Sequence, residues 1–259
     1  MLFRSAATEW QNRPLDSLYM IVWMDGIVFK VRENGKVINK TVYLCVGLNK
    51  EGLKEVLGMW IGKNESAAFW MGVLTDLKAR GVEDILITVT DNLNGFTETI
   101  KSVFPASTTQ ICVVHQIRNS CRYVVWKEKK EFTADLKNIY NAPTKEAAEM
   151  ELDNFEQKWG AKYPYAIRSW RNNWEELTVF FDFPVEIRKI IYTTNLIENL
   201  NGKVRKYTKN KLSFPNDDAL KKSVYLAINE IEKKWYQPIW NWALIFNQFI
   251  TIFENRIQV

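Results

Sequence analysis

Residues 85–115 read ILITVTDNLNGFTETIKSVFPASTTQICVVH. Ile85 to Thr90 form a short, apolar, β-branched run, the composition of a buried strand. The strand hands Asp91 to a loop at its C-terminal end, where open α/β sheets place ligands. Asn92 to Gly95 supply turn residues, and Phe96 to Phe104 read as a short helix stopped by Pro105. Thr109 to Val114 read as a second strand that delivers Cys112-x-x-His115, with the only histidine of the chain. Taken singly, an Asp after a strand is a cap or turn residue. Cys112 and His115 are two ligands at most, where structural zinc takes four, and neither Cys45 nor Cys121 stands at ligand spacing.

Upstream the pattern is antiparallel. Leu18 to Trp23 are apolar, Asp25 interrupts them, and Ile27 to Arg32 resume the strand. Asn34-Gly35 is a strong hairpin signal. Val37 to Leu48 form the return strand, Glu51-Gly52 a second turn, and Leu53 to Gly62 a third strand. Glu65 to Arg80 read as an amphipathic helix with Phe69, Val73 and Leu77 at helical spacing, ended by Gly81. Asp25 is either a solvent-facing or bulge residue or a metal ligand, since a carboxylate buried in mid-strand without a partner costs several kcal/mol.

Downstream, from Gln116 to about Arg188, strand signals vanish. Helices are expected over 116–130, 131–141, 144–160 and about 163–180, punctuated by Pro143, Pro164 and Pro184. Trp126, Trp159, Trp170 and Trp174 read as packing residues. Trp170-Arg171-Asn172-Asn173-Trp174 also has the aromatic-basic composition that suits an unstacked base. After Ile190 to Asn195 a helix carries Glu198, with Ile197, Leu200, Val204 and Tyr207 on an apolar face. Asn195-x-x-Glu198 fits a capping box.

At 259 residues and 47% hydrophobic, with 11 Trp and 14 Phe, the chain supports a substantial core. No run approaches the roughly 20 apolar residues of a membrane span, and the start lacks a signal-peptide apolar region. Three cysteines, an odd and sparse set, point to a reducing cytoplasm. The net charge of +5 suits a polyanion partner. Lys203, Arg205, Lys206, Lys209 and Lys211 follow Glu198 with no acid until Asp217, and Arg118, Arg122, Lys127, Lys129 and Lys130 make a second basic cluster.

Asp91, three residues, Gly95-Phe96, then Val103-Phe104-Pro105, then Gln110-x-Cys112-x-x-His115 resembles the signature of the Mutator-type transposases of bacterial insertion sequences. Thr193-Thr194-Asn195-x-Ile197-Glu198-x-Leu200-Asn201 resembles the third-carboxylate motif of that family, and the resemblance runs from Trp10 to Arg256. It implies an α/β, ribonuclease H-like core with an all-α insertion between the fifth strand and the helix carrying Glu198. It also implies four regions: a linker over 1–17, the first part of the core over 18–115, the insertion over 116–190, and the second part of the core with C-terminal helices over 191–259. Asp25, Asp91 and Glu198 would be a catalytic DDE triad holding two Mg²⁺ or Mn²⁺ ions, with Asp25 and Asp91 as the shared core and Glu198 the outer ligand. Cys112 and His115 would be a structural or DNA-positioning motif. Lys203, Arg205, Lys206, Lys209 and Lys211, with Trp170 and Trp174, would bind DNA.

The implied partners are double-stranded DNA, as terminal inverted repeats and target, and further copies of the chain. The implied location is the cytoplasm, at the nucleoid. Two departures stand out: Asn92 occupies a position where relatives commonly have Gly, and the N-terminal DNA-binding region of the family is expected to be missing. Three functions remain open: a transposase core, a non-catalytic DNA-binding or oligomerising remnant that interferes with full-length transposase, and a stand-alone nuclease.

Overall fold

Asn34 and Gly35 adopt φ of 49° and 77°, the paired left-handed angles of the favoured two-residue hairpin turn. That turn folds β1 (Leu18–Glu33) onto β2 (Lys36–Leu48), in unbroken register from Ile21 opposite Leu48 to Glu33 opposite Lys36. The structure is a computed structural model that describes residues 2–91, 93, 95–192 and 195–257, with side chains described except at residues 2–5 and 195. The chain divides into two compact units, Met1–Thr108 with Thr194–Val259, and Thr109–Thr193.

The first unit begins with α1 (Leu2–Asn12), where the sequence reading has only a linker. Two side chains at the end of this segment reach β3 (Lys54–Gly62). Gln11 Oε1 accepts from the Met59 N–H at 2.9 Å, and Arg13 Nη2 donates to the Val56 carbonyl at 2.7 Å. Asp25 does not break β1, which runs through it as one strand. β3 pairs antiparallel with β2, with a register irregularity at Cys45/Val46. α2 (Ala67–Ala79) is capped by the Ser66 side chain, which accepts from the Phe69 N–H. β4 (Asp84–Thr90) then pairs parallel with β1, and α3 (Phe96–Val103) follows. β5 (Thr108–Ile111) completes a five-stranded sheet of order β3-β2-β1-β4-β5. Three antiparallel strands followed by a strand inserted parallel to the first is the ribonuclease H-like arrangement. Tyr19, Val22, Met24, Leu57, Trp70, Leu74, Phe96 and Ile100 form its core, with Trp70 stacked on Phe96 at 4.6 Å. Burying each such large side chain contributes about 1.5–3 kcal/mol.

The second unit is helical after β5: α4 (Val113–Ser120), α5 (Lys129–Tyr140), α6 (Lys145–Trp159), α7 (Pro164–Asn172), α8 (Trp174–Thr178) and α9 (Val185–Ile191). Phe132 is its hub, edge-to-face with Phe155, Trp159 and Tyr163 at 4.9–5.5 Å. Two expectations change here. The strand expected to run to Val114 ends at Ile111, and His115 lies in the first turn of α4. Its start is fixed by the Gln116 N–H bonding back to the Cys112 carbonyl and the Val113 N–H bonding to the Tyr192 carbonyl. The helix expected over 116–130 stops at Ser120, because buried Val124 and its neighbour Val125 are extended between two 3-10 turns.

The chain returns to the first unit with α10 (Asn195–Thr208), α11 (Asp217–Glu232) and α12 (Trp242–Ile252). α10 packs on β1 and α11 on β3. Among the described residues no helix is long and apolar enough to cross a membrane.

Candidate functional site

Asp25 stands where β1 outgrows its parallel neighbour. β1 and β4 pair from Leu18 opposite Asp84 to Trp23 opposite Val89. Asp25 lies two residues beyond the last pair on β1, on the face that carries Trp23, and Asp91 follows directly on the end of β4. Neighbouring strands lie about 4.8 Å apart, so the register brings two half-buried carboxylates to the same end of the sheet. Past this point β4 has ended, and β1 pairs on that side with Phe214 instead: the Phe214 N–H bonds to the Lys30 carbonyl and the Arg32 N–H to the Phe214 carbonyl, each at 2.8 Å. The loop position Asn92, the pair Thr193-Thr194, and the Asn195 side chain of the expected capping box lie outside the described residues.

The third acid arrives on α10. Asp25 Oδ1 accepts from the Gly26 N–H at 2.8 Å, and Asp25 Oδ2 accepts from Asn201 Nδ2 at 2.6 Å. Asn201 is buried, and Glu198, half-buried, precedes it by three residues on the same helix. Three residues are roughly one turn, about 4.5 Å along the axis, so the two side chains share a helix face. Asn201 spends its amide on Asp25, and its buried Oδ1 has no partner among the described residues.

Among the described residues no three His, Cys, Asp or Glu side chains gather closely enough to hold a metal ion. The donor chemistry nevertheless fits a hard divalent cation. The available atoms are carboxylate oxygens from Asp25, Asp91 and Glu198, and the Asn201 carbonyl oxygen lacks a hydrogen-bond donor. Asn201 stands in the quoted motif around Glu198, but sequence reasoning gave it no role; its bond to Asp25 appears only in the fold.

The basic residues after Glu198 are exposed, but they do not act as one row. Lys203, Lys206 and Lys209 line an open cleft of about 410 Å³ with Tyr207, Glu230, Ile231 and Lys234. Lys54, over the Trp235 ring, feels Lys203: burial, and then that charge, hold its ammonium below the usual lysine range. Lys211 is engaged elsewhere, donating to Ser223 Oγ at 2.8 Å and covering the Phe214 ring at 5.2 Å. Arg205 is exposed.

In the second unit, Cys112 is buried at the N-cap position of α4 and His115 is half-buried one turn on. Gln110 beside them is a structural tie. Its Nε2 donates to the Leu177 carbonyl at 2.9 Å, and its Oε1 accepts from the Phe180 N–H at 2.7 Å. Trp170 and Trp174, expected to meet DNA, are core residues. Trp170 is 2% exposed and donates its indole N–H to Ser120 Oγ at 2.9 Å, and Trp174 is 8% exposed. Neither offers a ring face to a base. Arg171 between them is neutralised by Asp153 and Glu156.

Residues 3–238 match the family model described as "Transposase, Mutator family". Two similar curated relatives are the transposase for insertion sequence element ISRM3 of Rhizobium meliloti and the probable transposase for an ISRM3-like element of Sinorhizobium fredii. Each is 44% identical over 252 residues, covering 97% of this chain. The chain spans 63% of the length of each of them. Among solved structures, the Drosophila P element transposase in its strand transfer complex is 12% identical, with 95% of this chain and 70% of that chain covered and a TM-score of 0.31.

Proposed function

Since the chain belongs to the Mutator family of transposases, we propose that it is the catalytic core of a DDE transposase, cutting DNA at insertion-sequence ends and joining the freed strand to target DNA. The observation that carries this reading is the β1–β4 register with the Asn201–Asp25 hydrogen bond, which ties the helix of Glu198 to the strand of Asp25. A ribonuclease H-like sheet uses its strand ends for such a constellation, and the order of the three acids along this chain suits it.

In this reading Asp25, Asp91 and Glu198 would hold two Mg²⁺ or Mn²⁺ ions. When bound, such ions offset the charge that builds on the attacking and leaving oxygens of a phosphodiester. The chain's own contribution is placement. The ends of β1 and β4 would, in this reading, supply two carboxylates and α10 the third, and the Asn201 bond would fix which way the Asp25 carboxylate faces. Without cations the three acids repel, so loading of the site and its final geometry are coupled. The cleft of Lys203, Lys206 and Lys209 tracks the phosphates of terminal-repeat and target duplex, and Arg205 and Lys211 add to the field. The second unit is the insertion between the fifth strand and the Glu198 helix, with Cys112 and His115 serving its architecture at the start of α4. Paired DNA ends call for more than one copy of the chain, working at the nucleoid in the cytoplasm.

The test is nicking of a labelled duplex bearing the host element's terminal repeat, with Mg²⁺ and with Mn²⁺, wild type beside Asp91→Ala. Nicking by wild type alone is the expected result. Duplex binding without nicking by either protein would leave a non-catalytic DNA-binding or oligomerising role. Equal nicking by both would remove Asp91 from the site.

A further inference from the structure

The aromatic rings that the second unit does expose lie outside its core. Trp126 is 88% exposed, Tyr123 64% and Tyr165 57%. Rings of this size normally bury 150–250 Å² each, so three of them left in water on one short segment and its neighbour call for an occupant. They are not on a floppy loop. Val124 is buried, and the Val125 N–H donates to Tyr163 Oη at 3.4 Å. Tyr163 Oη donates to Glu128 Oε2 at 2.6 Å, and Lys162 pairs with the other Glu128 oxygen. Those bonds clamp both sides of Trp126 to the start of α7. Tyr165, in the first turn of that helix, packs edge-to-face on Tyr123 with centroids 5.3 Å apart.

The charge around these rings has one sign. Arg122, Lys127 and Lys130 are exposed, and among the described residues neither Lys127 nor Lys130 forms an ion pair. The one acid of the segment, Glu128, is already neutralised: Lys162 and Tyr163 hold its carboxyl below the usual range. An apolar protein partner would have to desolvate these cations without compensation. A duplex would reward the cations but not the rings, because its bases are already stacked on one another.

We propose that this patch is a binding site for single-stranded DNA, with unpaired bases stacking on Trp126 and on the Tyr123–Tyr165 pair, and phosphates meeting Arg122, Lys127 and Lys130. It rests on the reading of the chain as a DNA-processing protein and names the substrate form that the second unit takes. A cleaved or melted DNA end is the chemistry that presents such a strand. The clamped backbone means that little conformational freedom is lost on binding, which favours stacking on these rings over rings on a mobile loop.

The experiment is fluorescence anisotropy of a fluorescein-labelled oligothymidylate, titrated with the whole chain in EDTA, so that no catalysis contributes. Trp126→Ala should weaken single-strand binding roughly 5- to 150-fold, the range for loss of one base–aromatic stack, and leave affinity for a duplex of the same length unchanged. Trp126→Phe should retain most of the affinity, and Lys127→Ala should lower the log–log salt slope by about 0.7. Equal single-strand affinity of wild type and Trp126→Ala overturns the proposal. So does a parallel loss on single strand and duplex, which would mark general phosphate attraction. A changed sedimentation coefficient for Trp126→Ala with unchanged DNA affinity would assign the patch to a protein interface instead. Nicking by Asp91→Ala reports separately on the carboxylate site, so either proposal can fail alone.

Discussion

Asn201 Nδ2 donates to Asp25 Oδ2 across 2.6 Å, joining residues 176 positions apart. A hydrogen bond to a charged acceptor in a partly buried setting is worth about 1.5–3 kcal/mol, more than a neutral one. It also orients what it holds. Partners that aim a metal-ligating carboxylate typically account for 10- to 100-fold in metal affinity or activity. Asn201→Ala should therefore raise the Mg²⁺ concentration giving half-maximal nicking by roughly that factor while duplex binding stays intact. Asn201→Asp should be worse, because a second carboxylate would face Asp25 Oδ2. A metal titration unchanged by either variant would reduce the contact to packing.

Metal binding should be visible without catalysis. A ligand that binds only the folded state stabilises it by RT ln(1 + [L]/Kd). Millimolar Mg²⁺ should therefore raise the melting temperature of the wild type, reversibly on adding EDTA. Asp25→Asn and Glu198→Gln should lose that rise. Glu198→Gln, with a like charge removed, should melt no lower than wild type in EDTA, whereas Asp25→Asn leaves one acceptor oxygen for the Gly26 and Asn201 donors and should melt lower. A metal-induced rise that survives both substitutions would place the ion elsewhere.

Gln110 bridges the exit of β5 to the turn after α8, and it satisfies a buried backbone carbonyl at Leu177 and a buried N–H at Phe180. Gln110→Ala strands both. At about 1–3 kcal/mol for each buried group left unpaired, two groups cost the second unit roughly 2–6 kcal/mol. Urea unfolding followed by proteolysis within 109–193 would show it as an earlier transition. An unshifted midpoint would mean that water replaces the amide.

Glu232 carries a pH signature. It lies on the inner side of α11, its Oε1 accepts from the Val56 N–H at 2.7 Å, and burial raises its carboxyl above the usual range, assisted by Glu55 and opposed by Arg13. A raised folded-state value means that the folded chain binds more protons than the unfolded one between the two values. The stabilisation is full below the ordinary Glu range and lost as pH climbs through the raised value. Glu232→Gln should flatten that part of the stability–pH curve and melt higher than wild type at neutral pH. Parallel curves for the two proteins would show that Glu232 titrates normally.

The candidate site was legible in the sequence in unequal parts. Asp25 and Asp91 could be found because each ends or interrupts an apolar, β-branched run, and such runs report strands through neighbours only two residues away. Their side-by-side placement is what the order of elements leads one to expect; the β1–β4 pairing itself runs to Trp23 opposite Val89. Asn201 was not legible as a partner of Asp25, since nothing local in 195–208 says which residue of a distant strand the helix will touch. His115 was misplaced for a related reason. Val113 and Val114 favour a strand, but the carbonyls of Cys112 and Tyr192 take up the backbone N–H groups that start α4.

While the three acids became candidates through the family resemblance, periodicity and turn chemistry determined on their own the meander closed by Asn34-Gly35 and the strand-helix-strand order through Ile111. These are local properties, set by sterics and hydrogen bonding within a turn or a strand pair. Tertiary structure alone decided between Trp170 and Trp126. Both stand beside a basic residue in helical surroundings, yet one is 2% and the other 88% exposed. Which ring is buried depends on what else in the fold offers an apolar surface and a hydrogen-bond acceptor, here Ser120 Oγ, fifty residues before Trp170. The same holds for Lys54 beside Lys203: charges distant in sequence raise one another's cost only once the fold has set them together.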